Sequence, residues 1–128
     1  MTIFEMLEEF HRTYGLAINE PPHEQLRELR ASLINEETEE VLNELLFDSP
    51  DVDLPYSPKA LTKELADLIY VSVGTATSLG LPLEAVLEET HKSNMSKLGE
   101  DGKPIYRADG KVLKGPNYKE PNLDQFFQ

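Results

Sequence analysis

Residues 26–40 of the chain read LRELRASLINEETEE, and this stretch decides the fold. Leu26, Leu29 and Leu33 recur at spacings of three and four residues, which is the period of one face of an α-helix. The acidic run that follows consists mainly of good helix formers. The sequence therefore predicts a long helix from about His23 to Phe47, with the three leucines on its buried face.

The acidic run is not spread evenly around this helix. At about 100° per residue, the side chains of Glu36, Glu37 and Glu40 continue the stripe of leucines. Glu39 points away from the stripe and is predicted to be an ordinary solvated glutamate. Since a buried carboxylate needs a compensating partner, the three glutamates on the stripe are candidate functional residues.

A second acidic pair lies on the next predicted helix, which extends to about Leu79. Ser57-Pro58 opens this helix, with serine as the cap and proline at the first helical position. Glu64 and Asp67 stand one turn apart on it. Apolar side chains cover nearly its whole circumference, which predicts a central buried helix; they are Leu61, Leu65, Leu68, Ile69, Val71, Val73, Ala76 and Leu79.

Five carboxylates on two apolar helices would repel one another strongly unless cations or protons neutralised them. Basic neighbours are few, because Arg27 and Arg30 lie on the second helix and Lys63 lies near the opposite side from Glu64. The alternative is an exposed acidic run, which usually forms a solvated face. The position of the glutamates on the stripe favours a site for a hard cation, Mg²⁺ or Mn²⁺, built from Glu36, Glu37, Glu40, Glu64 and Asp67.

Two further helices are predicted, from about Ile3 to Tyr14 and from about Leu83 to Leu98. In the tail, Asp109-Gly110 lies between two short apolar stretches, which indicates a small hairpin. We expect an all-α fold, a compact four-helix bundle-type domain with a short C-terminal hairpin or irregular tail. Residues 1–98 are predicted to form the helical core, and residues 99–128 the basic hairpin and extended tail of the same domain.

The composition of the chain limits the classes of function. It has 128 residues, 39% hydrophobic and 28% charged, as in a single globular domain. The net charge of −12 argues against a nucleic acid polymer as partner, since such binding requires cations that neutralise phosphates. No membrane span or signal peptide is evident. With no cysteine, thiolate chemistry and disulfides are excluded, and a cytoplasmic location is expected.

The spacing of the carboxylates resembles a known signature. Glu36-Glu37-Thr38-Glu39-Glu40, followed by Glu64-Leu65-Ala66-Asp67, is similar to the E-E-x-x-E…E-x-x-D pattern of all-alpha nucleoside triphosphate pyrophosphohydrolases. This superfamily includes MazG-like enzymes, dimeric dUTPases, dCTPases and phosphoribosyl-ATP pyrophosphohydrolase. The segment from His91 to Lys97, with the later Asp109-Gly110-Lys111, looks most like the MazG-like branch that includes dUTPase-type members. The resemblance spans roughly Phe10 to Lys114.

The resemblance implies hydrolysis of a nucleoside triphosphate between its α- and β-phosphates, with release of a monophosphate and pyrophosphate. It implies two or more Mg²⁺ or Mn²⁺ ions held by Glu37, Glu40, Glu64 and Asp67. Glu36 matches the position that orients or deprotonates the attacking water, or ligates directly. The expected role is clearance of dUTP or another deoxynucleotide from the nucleotide pool. The expected assembly is a homodimer, with a tetramer as the second choice.

Candidate substrate-binding residues lie outside the carboxylate cluster. On the fourth helix, Asn94 and Lys97 continue the inward stripe and could meet a base edge or sugar hydroxyl and a phosphate. The alternative is a helix end that reaches water. Further candidates, each with an ordinary packing or surface alternative, are Tyr70 one turn beyond Asp67, His91 at the margin of the fourth-helix stripe, the first-helix residues Phe10, His11 and Tyr14, and the tail residues Lys103, Arg107, Lys111 and Lys114.

Two other functions compete with this interpretation. Phosphoribosyl-ATP pyrophosphohydrolase, an enzyme of histidine biosynthesis, belongs to the same superfamily, although the tail of this chain favours the MazG-like branch. A non-enzymatic, acidic helical dimerisation module would explain the charge without any metal ion. The sequence names neither the preferred base or sugar nor the preferred cation.

Overall fold

Four α-helices dominate the computed structural model, which describes residues 1–46 and 57–127. They are α1 (Ile3–Tyr14), α2 (Glu24–Leu45), α3 (Pro58–Leu79) and α4 (Leu83–Met95), and a 3-10 turn follows at Asp124–Phe126. The described residues contain no strand, and the all-α prediction is confirmed. The predicted end of the second helix at Phe47, and the residues that follow it as far as Tyr56, lie outside the described residues.

The chain divides into two units, Met1–Leu81 and Pro82–Gln128. In the first unit, α1 and α2 each pack against α3, so α3 is the element on which the other two helices depend. The core of this unit is mixed in polarity. Its buried side chains include the apolar Leu7, Leu26, Val41, Val73 and Ala76, together with His11, Arg30 and Ser78.

Local sequence signals fix the ends of the first three helices. The side chains of Thr2, His23 and Ser57 each accept a hydrogen bond from a backbone N–H in the first turn of α1, α2 and α3, which satisfies donors that the helix leaves free. Gly15 and Gly80 end α1 and α3 in the left-handed conformation, with φ of 67° and 65°, which glycine adopts without steric cost. These helices consequently match the predicted ranges closely.

Some apolar side chains of α2 and α3 that were predicted to be buried are exposed in the single chain. Leu26 is buried, but Leu29 is 51% exposed, so the prediction that this leucine is buried is wrong. On α3, Leu65 and Ile69 are 41% and 55% exposed, so α3 is not buried around its whole circumference. The physical reason is that periodicity gives only the direction of a side chain. Burial also requires a neighbour on that side, and in the described part of this unit α3 has only α1 and α2.

In the second unit, α4 ends at Met95, three residues before the predicted end at Leu98. The backbone N–H of Ser96 still bonds to the Lys92 carbonyl four residues back, but the N–H of Lys97 bonds to the Asn94 carbonyl three residues back, so the regular ladder ends there. The Ser96 side chain then accepts a hydrogen bond at 2.9 Å from a tail N–H, that of Lys119. Contact with the tail therefore replaces the last predicted turn of the helix.

The predicted hairpin is present in its smallest form. Tyr106 and Val112 form a single antiparallel bridge, and Asp109-Gly110 lies in the turn between them. Gly110 has φ of 90°, which suits a tight turn. None of the helices in the described part of the chain has the length and apolar character needed to cross a membrane.

Replacing Gly80 with alanine should destabilise the protein more than replacing Gly15 with alanine. Each alanine would carry the strain of the left-handed conformation, about 1 to 2 kcal/mol. A Cβ at Gly80 would also lie 2.8 Å from the Asn19 Oδ1 atom, whereas nothing lies within 4 Å of a Cβ at Gly15. The free energy of unfolding in urea measures both losses, and equal losses would contradict this account of the α3 terminus.

Candidate functional site

Four of the five predicted carboxylates meet between α2 and α3. Glu37 and Glu40 lie one turn apart on α2, and Glu64 and Asp67 lie one turn apart on α3. One oxygen atom of each side chain lies within 4.8 Å of the corresponding atoms of the other three, and all four residues are half-buried. The helical repeat thus supplies two carboxylates from each helix, and the packing of α2 against α3 brings the two pairs together.

The fifth predicted carboxylate, Glu36, lies on the exposed surface of α2 and is not among these four. Glu39 is also exposed, and its carboxylate accepts a hydrogen bond at 3.5 Å from the Asn35 amide. Its exposure agrees with its predicted place on the solvated side of the helix.

The four carboxylates are incompletely compensated by other groups. Among the described residues, the Oε2 atoms of Glu37 and Glu64 are buried and have no hydrogen-bond partner. A buried oxygen without a partner is costly, and it marks a place where a further group fits. Because the donor set consists only of carboxylate oxygens, it fits a hard divalent cation better than a soft metal ion. The cluster could therefore hold such an ion.

Lys63, which the helical wheel places near the opposite side from Glu64, is nevertheless paired with a carboxylate of the cluster. Lys63 donates to the Asp67 carboxylate in an ion pair one turn along α3. Its side chain is 67% exposed, so the pair is worth little to stability. Hydrogen bonding to Asp67 raises the pKa of Lys63, and the charges of Asp67, Glu64 and Glu37 add to the effect. The sequence signal for this ion pair is the spacing of four residues between Lys63 and Asp67, which places two side chains next to each other on a helix.

Glu40 and Glu64 are both members of the cluster, and a hydrogen bond between them requires a proton on one of the two carboxyls. This bond is the largest cause of a raised pKa at Glu64. Burial and the negative charges of Glu40 and Asp67 raise it further, whereas the Lys63 charge lowers it. Without a metal ion, the cluster therefore favours a partly protonated state.

An aromatic pocket lies on the same unit. Phe10 and Tyr14 of α1 contact each other with ring centroids 4.8 Å apart, and Phe10 meets the edge of Tyr70 on α3 at 5.4 Å. These rings line a surface pocket of about 320 Å³ together with Met1, Met6, Glu9 and Thr13. Tyr70 follows Asp67 by three residues, which is less than one turn of α3. The pocket therefore begins within one turn of the carboxylate cluster.

His11 does not line this pocket. It is buried, at 1% exposure, and its Nδ1 atom lies 2.9 Å from the Ala17 carbonyl oxygen, which makes Nδ1 the protonated nitrogen. His11 is therefore a residue of the core, whereas Phe10 and Tyr14 line the pocket.

The other predicted substrate-binding residues lie in the second unit. His91, Asn94 and Lys111 are exposed, and Lys97 is half-buried. The Lys114 ammonium lies over the ring of Tyr118, 4.7 Å from its centroid. A buried serine that the sequence did not mark, Ser93, donates a hydrogen bond at 2.8 Å to the tail carbonyl of Lys119.

Arg107, one of the candidate basic residues of the tail, forms its contacts within the hairpin turn. Its guanidinium forms an ion pair with the Asp109 carboxylate, which raises the pKa of Arg107 and lowers that of Asp109. Much of its charge is therefore balanced locally.

The sequence model of the phosphoribosyl-ATP pyrophosphohydrolase (PRA-PH) family matches residues 7–94, which include all four clustered carboxylates. With an all-helical fold, this match defines the chain as a nucleotide pyrophosphohydrolase, a hydrolase that acts on a nucleotide pyrophosphate bond. The chain belongs to the PRA-PH family. The predicted superfamily is thereby confirmed, while the dUTPase-like branch stays a prediction. No curated protein matches the chain.

Neutralising Glu64 should stabilise the metal-free protein at neutral pH. Because the pKa of Glu64 in the folded chain is raised above its ordinary value of 4.5, folding favours the protonated carboxyl. This contribution to stability is fully present below the ordinary pKa and is lost as the pH rises through the raised pKa. The measurement is the melting temperature of chelator-treated protein from about pH 4 to about pH 8. In this range the melting temperature of Glu64→Gln should lack the loss of stability that ionisation of Glu64 causes in the natural protein.

The matched control for this experiment is Glu39→Gln, which makes the same chemical change at an exposed position of α2. Its melting temperature should follow that of the natural protein across the pH range. If Glu64→Gln also followed the natural protein, the raised pKa of Glu64 would be refuted.

Proposed function

We propose that this chain is a Mg²⁺- or Mn²⁺-dependent nucleoside triphosphate pyrophosphohydrolase that releases a nucleoside monophosphate and pyrophosphate. One observation carries the proposal: four carboxylates converge within 4.8 Å, and two of their buried oxygens lack a partner among the described residues. Glu37, Glu40, Glu64 and Asp67 would hold the cation, and two or more ions are proposed for each site. The membership of the chain in a pyrophosphohydrolase family supports this reaction.

A bound divalent ion would supply charge neutralisation of the phosphate chain and a water of lowered pKa. In the proposed reaction, the oxygen of a water molecule bonds to the α-phosphorus, and the bond to the bridging oxygen of the β-phosphate breaks. The water gives up its proton to a base, and Glu36 is proposed for this role or for orienting the water. Its place next to Glu37 on α2, with an exposed carboxylate, supports a role beside the ligands rather than among them.

The aromatic pocket supports a place for the nucleobase. Nucleobases stack on aromatic rings, and any base can make this contact. Tyr70 lines the pocket and lies on α3, the helix that also carries Asp67. The volume of about 320 Å³ is within the range of small-ligand sites. We propose that Tyr70, with Phe10 and Tyr14, contacts the base.

Two substrates are proposed. The first is dUTP or another deoxynucleoside triphosphate, which the resemblance of the tail favours. The second is phosphoribosyl-ATP, which the family match favours, since the family takes its name from that activity. Rates on dUTP, dCTP, dGTP, dATP and phosphoribosyl-ATP, with monophosphate and pyrophosphate resolved as products, distinguish the two. A rate on phosphoribosyl-ATP well above all deoxynucleotide rates would overturn the first proposal.

Phosphate contacts from Lys97, Lys111 and Lys114, and base or sugar contacts from Asn94 and His91, are part of the same proposal. Their support is the excess of basic over acidic side chains in residues 92–128, seven against five, and the resemblance of the segment that contains them. A homodimer is also proposed, with a tetramer as the second choice. The exposed Leu29, Leu65 and Ile69 support an assembly that covers apolar surface, and sedimentation would measure it.

Replacing Glu37 with glutamine should abolish the metal-dependent hydrolysis. The substitution keeps the size of the side chain and removes one anionic ligand. Since groups that only support a metal ligand contribute about 10- to 100-fold to metal affinity or activity, loss of a ligand should reduce kcat/KM by about 100-fold or more. Pyrophosphate release at saturating Mg²⁺ or Mn²⁺ measures the effect.

Glu39→Gln serves as the matched control, because it changes an exposed glutamate of the same helix. It should retain the natural rate within about twofold, as expected of a surface substitution. Full activity of Glu37→Gln would refute the assignment of the site.

Truncation of Tyr70 should weaken substrate binding more than the chemical step. Loss of a stacked base costs about 1 to 3 kcal/mol, so Tyr70→Ala should raise KM by about tenfold or more, with a smaller change in kcat. Tyr70→Phe keeps the ring and should bind substrate nearly as the natural protein does. An unchanged KM for Tyr70→Ala would remove this residue from the proposed base site.

A further inference from the structure

Arg30 is a buried cation in the core of the first unit. It lies on α2 and is 6% exposed. It donates from Nη2 to the Val71 carbonyl oxygen at 2.8 Å and from Nε to the Thr75 hydroxyl at 3.0 Å, both on α3. Among the described residues, no carboxylate forms an ion pair with it. Burial lowers its pKa, which reflects the cost of keeping a charge in this place.

The surroundings of Arg30 leave its guanidinium little freedom. A Cβ at position 74 would lie 2.8 Å from Nη2 of Arg30 and 3.1 Å from Nε2 of His11, so Gly74 provides the space that the guanidinium occupies. The Thr75 hydroxyl in turn donates to the Val71 carbonyl at 2.8 Å. Both acceptors of Arg30 are therefore fixed by the same turn of α3.

The sequence spacing connects Arg30 to the carboxylate cluster. Glu37 follows Arg30 by seven residues on α2, and Glu64 precedes Val71 by seven residues on α3. Seven residues make about two helical turns and about 10 Å of rise. In an antiparallel pair of helices, the contact of Arg30 with Val71 therefore places Glu37 at the level of Glu64 and on the same face.

We propose that Arg30 is a positioning residue that fixes the register of α2 against α3 and so brings the two pairs of carboxylates together. Apolar side chains tolerate sliding, since one leucine or valine contact replaces another at similar energy. Hydrogen bonds from a planar guanidinium to a carbonyl and a hydroxyl do not tolerate it. A shift by one turn of α3 would remove both acceptors and leave a buried charge without partners, which is strongly unfavourable.

The charge of Arg30 is thus retained at a cost that an apolar residue would avoid. Replacement of buried charges by apolar residues of similar volume is often neutral or stabilising in other proteins. Arg30→Met should therefore fold, and its stability should not reveal the function of the arginine. The effect should appear in the geometry of the carboxylates instead.

The first measurement is the Kd for Mn²⁺ by calorimetry, at a temperature at which every variant is folded. Arg30→Met should bind Mn²⁺ about tenfold or more weakly than the natural protein, since residues that orient metal ligands contribute about 10- to 100-fold. Arg30→Lys keeps the charge but lacks the planar fork, and its Kd should lie between the two. Affinity of Arg30→Met within twofold of the natural protein would overturn the proposal.

The matched control is Val73→Ala. Val73 is buried and lies in sequence between Val71 and Thr75, the two acceptors of Arg30 on α3. Its truncation therefore removes packing from the same turn of α3 and keeps both acceptors. Val73→Ala should lower the melting temperature and keep the natural Kd for Mn²⁺. A loss of affinity in Val73→Ala as large as that in Arg30→Met would show that general packing, not Arg30, sets the site.

The second measurement requires no metal ion, which matters because the inference rests on the proposed metal site. The chain has no cysteine, so Ser32→Cys on α2 and Thr62→Cys on α3, both exposed, can carry the only two spin labels. The labelled protein is diluted with unlabelled protein, so that the measured distance is the one between the two spin labels of a single chain. Arg30→Met should broaden this distance distribution or shift it by up to one turn, about 5 Å.

The two measurements separate the failure of this inference from failure of the proposed function. An unchanged distance distribution in Arg30→Met overturns the register role, whatever the Mn²⁺ result. If the natural protein bound no Mn²⁺ but Arg30→Met altered the distance, the register role would stand and the metal site would be refuted.

Discussion

The repulsion among four carboxylates is the constraint on which the first unit depends. Glu37, Glu40, Glu64 and Asp67 lie closer together than free anions would in a half-buried place. The ion pair from Lys63 relieves part of the repulsion, and the raised pKa of Glu64, which favours its protonated form, relieves a further part. Within the part of the chain that the structure describes, the buried Oε2 atoms of Glu37 and Glu64 still have no hydrogen-bond partner. The packing of α2 and α3 must therefore supply the free energy that holds the cluster together.

That free energy comes from a small core in which polar groups have a large share. Apolar burial is non-directional, so it favours association of α2 with α3 without selecting one alignment of the two helices. Directed hydrogen bonds, such as those of Arg30 across the helix pair, can select one. This selection of one alignment explains why the guanidinium of Arg30 is buried between α2 and α3.

The sequence determined some of these features and not others, for identifiable reasons. Helix ends at Thr2, Gly15, Ser57 and Gly80 could be predicted because capping depends on neighbouring residues. The direction of Glu37, Glu40, Glu64 and Asp67 could be predicted because the helical repeat is fixed, whereas Glu36, at the edge of the predicted stripe, lies exposed outside the cluster.

The exposure of Leu29, Leu65 and Ile69 could not be predicted, since it depends on which elements pack nearby. Neither could the position of Arg30. A helical wheel places it on α2 but does not show the carbonyl and hydroxyl that it meets on α3. The ion pair of Lys63 depends on a flexible side chain, for which helical position is only a weak guide.

The boundary of the family match constrains where substrate selectivity can reside. All candidate substrates share the phosphoanhydride on which the carboxylate cluster would act, so the cluster cannot distinguish them. Selectivity requires groups that contact the base or the sugar. Most of the lining of the pocket beside Tyr70 lies within residues 7–94, the region common to the family, but Met1 and Met6 precede that region. Features of selectivity particular to this chain, rather than to the family, are therefore to be sought first at Met1 and Met6 of this pocket.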